Sequence, residues 1–186
     1  LIFPPDKHTS IIQFEELQKK QPEDQAACYP GTKTSIVPGD VLYSSKGLST
    51  FLVGHAGILG PDLMVYHSHP KGGFRDTLPI YLSRHKYGSD ITVFRPVSGA
   101  DQAAAWAAGN VDKIRRYLFH PRLDNISYNY CSKFIWQAFW YTGMGDLTAK
   151  GMTDEVVRWI YPYQIKKSNL LELHAKIRLN PLKKTM

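Results

Sequence analysis

Apolar and polar positions alternate with two different periods along this chain, and the changes between them mark out its elements. Over residues 9–20, Ile11, Ile12, Phe14 and Leu17 recur at near-helical spacing behind Thr9 and Ser10, which are suited to cap a helix, so the pattern predicts an amphipathic helix. The period is lost over residues 21–37, where Pro22, Pro30 and the adjoining Pro38 break the chain, and this stretch reads as loop. Short apolar runs follow at residues 40–44, 56–59, 63–67 and 90–94, separated by the turn signals Gly60-Pro61-Asp62 and Lys71-Gly72-Gly73. Strands this short with connections this tight predict a mainly antiparallel sheet. From residue 101 the spacing is helical again: Ala103, Ala107, Val111, Ile114 and Leu118 recur every three to four residues up to the break at His120-Pro121. A further helix is predicted over residues 131–141, with Phe134, Ile135, Ala138 and Phe139 on one face and Gly143 placed to terminate it. Residues 153–179 predict one short helix and no other definite element. The reading is an α+β chain with a helix-and-loop extension at residues 1–37 and a single domain at residues 38–186.

Composition narrows this picture modestly. A hydrophobic share of 43% over 186 residues supplies a core for one domain and excludes a mainly disordered chain. No run of about 18 apolar residues exists, so no membrane-spanning helix is predicted. The formal charge of +7 favours anionic partners such as a cell-wall polymer or a lipid surface. The basic residues are scattered in doublets such as Lys19-Lys20, Arg115-Arg116, Lys166-Lys167 and Lys183-Lys184, which is not the dense run of a nucleic-acid-binding arm. Two cysteines, Cys28 and Cys131, permit at most one bridge and exclude a disulfide-built fold. A chain that starts at Leu1 is expected to lack a leader; cell-envelope or secreted residence fits that, while two unbridged cysteines suit the cytoplasm equally well.

The candidate chemistry begins at Cys131, which follows Ser127-Tyr128-Asn129-Tyr130 and opens the predicted helix. First-turn N–H groups and the positive end of the helix dipole stabilise a thiolate there, so the position is expected to lower the thiol pKa and to offer donors for an oxyanion. A lone cysteine is more often a small buried hydrophobe, and partners have to be found before it counts as a nucleophile. His55, between small residues in Gly54-His55-Ala56-Gly57, is the candidate general base. His67, on the return strand after Gly60-Pro61-Asp62, is the candidate orienting group, and His69 lies two residues further toward the Pro70 break. His55, His67 and His69 are also a conceivable three-histidine zinc set, but that reading leaves the helix-start cysteine without a role. His8, His85, His120 and His174 fall in loop-like or tail contexts and receive no functional assignment.

The segments Gly39-Asp40-Val41-Leu42-Tyr43, Val53-Gly54-His55-Ala56-Gly57-Ile58 and Tyr128-Asn129-Tyr130-Cys131-Ser132, in that order, resemble the circularly permuted branch of the NlpC-type papain-like cysteine peptidase superfamily. That branch includes the YiiX-like bacterial proteins and the lecithin:retinol acyltransferase family. Ordinary members place the cysteine helix before the histidine strand; the permuted branch reverses them, as here. Tyr161-Pro162-Tyr163-Gln164 and Ser168-Asn169-Leu170 are similar to the closing segment of the bacterial members, so the resemblance covers residues 38–173.

The resemblance implies a half-barrel antiparallel sheet packed against helices and a thioacyl-enzyme intermediate; no cofactor or metal is expected, because His55 is then committed to Cys131 and only His67 and His69 remain as ligands. It carries the nucleophile onto Cys131, the base onto His55 and the third position onto His67, which is histidine in acyltransferase relatives and acidic in many bacterial ones. The thiol and a His55 ring nitrogen are then expected within roughly 4 Å. Tyr43, Tyr128 and Tyr130 are candidate oxyanion or substrate groups, by nearness to the motifs. The implied activity is a cysteine hydrolase acting on amide bonds of cell-wall peptides or small amino-acid amides. The alternatives are an enzyme acting on lipid acyl groups and a binding domain that has lost turnover.

Overall fold

The computed structural model describes residues 27–45, 54–85 and 90–179, so the helix expected over residues 9–20 lies outside the described residues. Six strands form one antiparallel sheet: β1 (Val41–Ser44), β2 (His55–Leu59), β3 (Val65–His69), β4 (Gly72–Asp76), β5 (Ile91–Pro96) and β8 (Leu171–Ile177), in the order β4-β3-β2-β1-β5-β8. A separate parallel pair joins β6 (Arg116–Tyr117) to β7 (Tyr128–Asn129). The helices are α1 (Leu78–Arg84), α2 (Ala100–Asn110), α3 (Cys131–Trp140) and the short α4 (Pro162–Ile165).

Side chains alternate across a strand, and the register turns that alternation into two cores. Val41 and Tyr43 lie opposite Ile58 and Ala56, and with Phe94 they bury α2 and α3 against one face. Leu42, Leu59, Val65, Ile91 and Val93 face the other way, onto Leu78, Tyr81 and Leu82 of α1. Helix α3 is buried at every position but the last, so truncating a central residue such as Phe134 to Ala should cost about 3–5 kcal/mol. Gly39 sits where β1 begins, at φ +85°, and a Cβ there would run into the backbone of Ala100; only glycine allows α2 to approach so closely. Beside it Asp40 is buried, accepts from the Tyr29 hydroxyl at 2.7 Å, and is clamped by Arg95 at 2.7 and 2.9 Å. The motif aspartate is thus a structural ion pair that ties residues 27–37 to β1.

The fold departs from the sequence expectation in three places. Gly72-Gly73, read as a turn, opens β4: Gly73 donates to Ile114 O at 3.1 Å, and any side chain on it would strike the Val111 carbonyl. The helix predicted from residue 101 to Leu118 stops at Asn110, passes through a 3-10 turn at Val111–Lys113, and becomes extended. The N–H groups of Arg115 and Arg116 both bond to Ser127 O, and Leu118 N–H bonds to Asn129 O, so tertiary partners replace the helical ones. Finally, α1 and β8 had no clear periodicity, although Thr77 caps α1 through its side chain and Pro79 stands in the first turn, both ordinary start signals.

Candidate active site

The start of α3 is fixed from several directions. Asn129 Oδ1 accepts from Tyr130 N–H at 2.9 Å while its amide donates to Gln137 at 2.7 Å, so one side chain satisfies the entering backbone and ties it to the second helical turn. Ser132 donates to Ile160 O at 2.7 Å, and the Ile160 N–H donates back to the Tyr130 hydroxyl at 2.9 Å. Lys133 is fully buried and its ammonium donates to three backbone carbonyls, those of His120, Arg122 and Tyr128, at 3.2, 3.1 and 2.7 Å. Burial pushes this lysine down to about 8.

Cys131 is the first residue of α3, as the sequence predicts, and its thiol is wholly buried. The backbone groups of Ala56 and Ser132 and the side chains of Tyr117 and Ser132 are the donors nearest the sulfur, and each favours its ionised form. Ala56 is available because of the strand geometry. Leu59 directs its N–H and C=O toward β1, so by alternation Ala56 directs its own toward β3, yet β2 and β3 pair only at Ile58–Tyr66 and Leu59–Val65. The two strands are unpaired beyond that point. The lowered thiol pKa expected from the helix start is not what results: burial pushes the thiol above its ordinary value, against the donors from Ala56, Ser132 and Tyr117.

On the α1 side of these strands stands a series of polar groups. His55 Nε2 lies 3.0 Å from His67 Nδ1, and His67 Nε2 lies 2.9 Å from Asp76 Oδ2. Asp76 is held in turn by Arg84 Nε at 2.6 Å and Nη2 at 2.9 Å. The carboxylate decides the tautomers. It can only accept, so His67 donates through Nε2 and must accept through Nδ1; His55 then donates through Nε2, and His55 Nδ1 is left with a lone pair. Burial lowers the pKa of both imidazoles; for His55 the neighbouring His67 and His85 act in the same direction, while for His67 the Asp76 charge opposes it. Burial would raise Asp76, but the hydrogen bonds from His67 and Arg84 outweigh it and hold the carboxyl well below its usual range. The resting site therefore contains a protonated thiol, two neutral imidazoles and one carboxylate.

Thiol and imidazole are brought to consecutive residues of β2, Ala56 and His55. The His55 ring bonds to His67, and among the described residues no hydrogen bond joins Cys131 directly to His55. His69 lies apart from the series. Its ring stacks on Phe74 at 4.4 Å, its Nδ1 accepts from Lys71 N–H at 3.2 Å, and burial takes it down to about 4. Of the three tyrosines singled out, Tyr43 is buried edge-on to Phe94, Tyr130 accepts from Ile160 N–H, and Tyr128 is exposed beside His120. Among the described residues no group of three or more His, Cys, Asp or Glu side chains is arranged to hold a metal ion.

Four contributors escape sequence reasoning: Tyr117, Asp76, Arg84 and His85. His85 is buried, stacks on the His55 ring at 5.4 Å, and among the described residues has no hydrogen-bond partner on Nδ1; burial takes it down to about 3. Assigning residues 72–76 as a strand would have exposed Asp76, because the register sets it opposite Val65 and so on the face of His67.

No protein-family model matches the chain. A search of curated proteins also finds no match. Among solved structures the chain is similar to the crystal structure of the metalloprotein yiiX from Escherichia coli O157:H7, DUF1105, with a TM-score of 0.53 and 14% identity over 75% of this chain and 96% of that one. At that identity the likeness is one of fold, and it sets this six-stranded antiparallel sheet and its helices beside the YiiX-like group.

Proposed function

We propose that the protein is a cysteine hydrolase of amide bonds, built on a circularly permuted papain-like half-barrel, with Cys131 as nucleophile and His55 as general base. The observation that carries this reading is the series His55–His67–Asp76, which leaves a lone pair on His55 Nδ1 one residue from Ala56, whose backbone is among the donors nearest the Cys131 thiol. Neutral thiol and neutral imidazole form a competent pair when proton transfer accompanies attack. Cys131 sulfur adds to the carbonyl carbon while its proton passes to His55 Nδ1, and the carbonyl electron pair moves to oxygen. The Ala56 N–H and the Tyr117 hydroxyl, which lie by the sulfur at rest, are the donors nearest the new oxyanion. Collapse expels the amine, which takes the proton from His55 and leaves a thioacyl-enzyme. Water then attacks, gives its proton to His55, and the released thiolate recovers it.

The yiiX protein is described as a metalloprotein. The residues here do not fit an ion: His55 and His67 spend the nitrogens that face each other on one hydrogen bond, and the remaining nitrogen of His67 is committed to Asp76. A second reading, transfer or hydrolysis of lipid acyl groups, shares the same chemistry and is favoured by a histidine at the third position. Screening wild type and Cys131→Ala against peptide amides and phospholipids tests both. Amide turnover that vanishes in Cys131→Ala supports the first reading, thiol-dependent turnover confined to lipids supports the second, and turnover that survives in Cys131→Ala contradicts each.

A further inference from the structure

Several large exposed apolar side chains lie on residues 118–119 and 157–163, segments joined to the start of α3. Ile160, Pro162 and Gln164 are buried, whereas Val157, Trp159, Tyr161 and Tyr163 are each 44–63% exposed and Arg158 is exposed between the first two. Val157 bridges Arg122, and Arg158 N–H donates to Pro121 O at 2.8 Å, which holds residues 157–158 extended, while in the short α4 Pro162, Gln164 and Ile165 are buried and Tyr163 is left exposed. The Tyr161 and Tyr163 rings stack with centroids 5.8 Å apart. Leu118 and Phe119 of the adjoining segment are exposed as well, and Phe119 stacks on Tyr130 at 4.5 Å. Through Ile160, bonded to both Ser132 and Tyr130, this surface is tied to the residues that flank Cys131.

Within and after the row the charge is basic, while Asp154 and Glu155 precede it and Asp124 pairs with Arg122 beside Val157. Residues 156–170 contain Arg158, Lys166 and Lys167 and no acidic residue, and Lys167 Nζ lies 5.6 Å over the Tyr163 ring. A hydroxyl-rich glycan calls for carboxylate and amide side chains among the rings, and residues 157–163 offer none. Flat amphipathic rings edged by long cationic side chains suit instead the headgroup region of a bilayer, where the ring bodies enter the apolar boundary and the cations meet lipid phosphates. Among the described residues no helix is long and apolar enough to cross a membrane, which leaves contact at its surface.

We infer that the row Val157–Trp159–Tyr161–Tyr163, with Arg158, Lys166 and Lys167, seats the protein on an anionic lipid surface. Joined to the thiol chemistry proposed above, on which this clause rests, the substrate is an acyl compound held at that surface. The test is co-sedimentation of the full chain carrying Cys131→Ala, so that turnover plays no part, with phosphatidylcholine vesicles with and without about one-third phosphatidylglycerol. Binding is expected to the anionic vesicles, to weaken with added salt, and to fall at least ~10-fold in a Trp159→Ser, Tyr161→Ser, Tyr163→Ser triple variant. Because that variant changes three rings, Lys166→Gln with Lys167→Gln, two exposed positions, provides a second measure, with about a 5-fold loss per lysine. Absent or equal binding to both vesicle types, or binding to cell-wall sacculi alone, would overturn the inference. Thiol-dependent turnover of a soluble amide without vesicle binding refutes the seating alone. Vesicle binding without turnover supports the seating and refutes the thiol chemistry.

Discussion

A neutral imidazole has one nitrogen that donates and one that accepts, so a fixed carboxylate at one end of a histidine pair dictates the lone pair at the other. Asp76 occupies that end, and His67 transmits the choice to His55. Replacing His67 with Ala should therefore lower turnover by ~10-fold to 10⁴-fold while KM changes little, whereas His69→Ala should stay within about 3-fold, since His69 stacks on Phe74, accepts from Lys71 N–H and meets His67 only edge-on, with no hydrogen bond to His55 or His67. Steady-state kinetics of the two variants checks this, and a larger defect in His69→Ala would contradict the assignment. These residues were readable in the sequence to different degrees. Cys131 and His55 stand out because a helix start and a pair of small neighbours are local features. Asp76 and Arg84 do not, because their roles arise from a strand whose glycines imitate a turn. Tyr117 was hidden inside an apolar spacing that fits a helix until Ser127 and Asn129 capture the backbone from a distance.

At the scale of elements, α3 and the sheet were foreseen while the lengths around them were not. Local periodicity specifies α3, nearly all of which is core, and the strands β1, β2, β3 and β5. It cannot specify β8, whose exposed Glu172, Leu173 and His174 run against strand alternation at an edge, next to a shift of register in β5. The loop between α2 and α3 depends on Lys133, whose single ammonium gathers carbonyls from His120, Arg122 and Tyr128. Lys133→Met keeps the volume and leaves those acceptors unmet, which should lower stability by about 2–4 kcal/mol in denaturant unfolding. It should also reduce turnover, because Tyr117 and Tyr128 belong to the segments the ammonium joins. An unchanged unfolding midpoint would contradict this role.

At the scale of the whole molecule, four histidines with lowered pKa values lie together around β2, β3 and α1: His55, His67, His69 and His85. Each binds protons less readily in the folded state than in the unfolded chain, so below pH 6.5 the unfolded state takes up more protons and stability falls with falling pH. The decline should begin near 6.5 and continue toward the folded values, about 4 for His69 and about 3 for His85, at up to about 1.4 kcal/mol per pH unit for each histidine. Thermal melting across this range checks the sign, and stability that rose on acidification would contradict it. The central claim is that Cys131 becomes covalently acylated with His55 as its base, and intact-protein mass spectrometry during turnover of a small activated acyl ester reads this directly. The account predicts a transient acyl adduct that maps to Cys131, forms far more slowly in His55→Ala and is absent from Cys131→Ala. An adduct on Cys28, or identical spectra for wild type and Cys131→Ala, would contradict it.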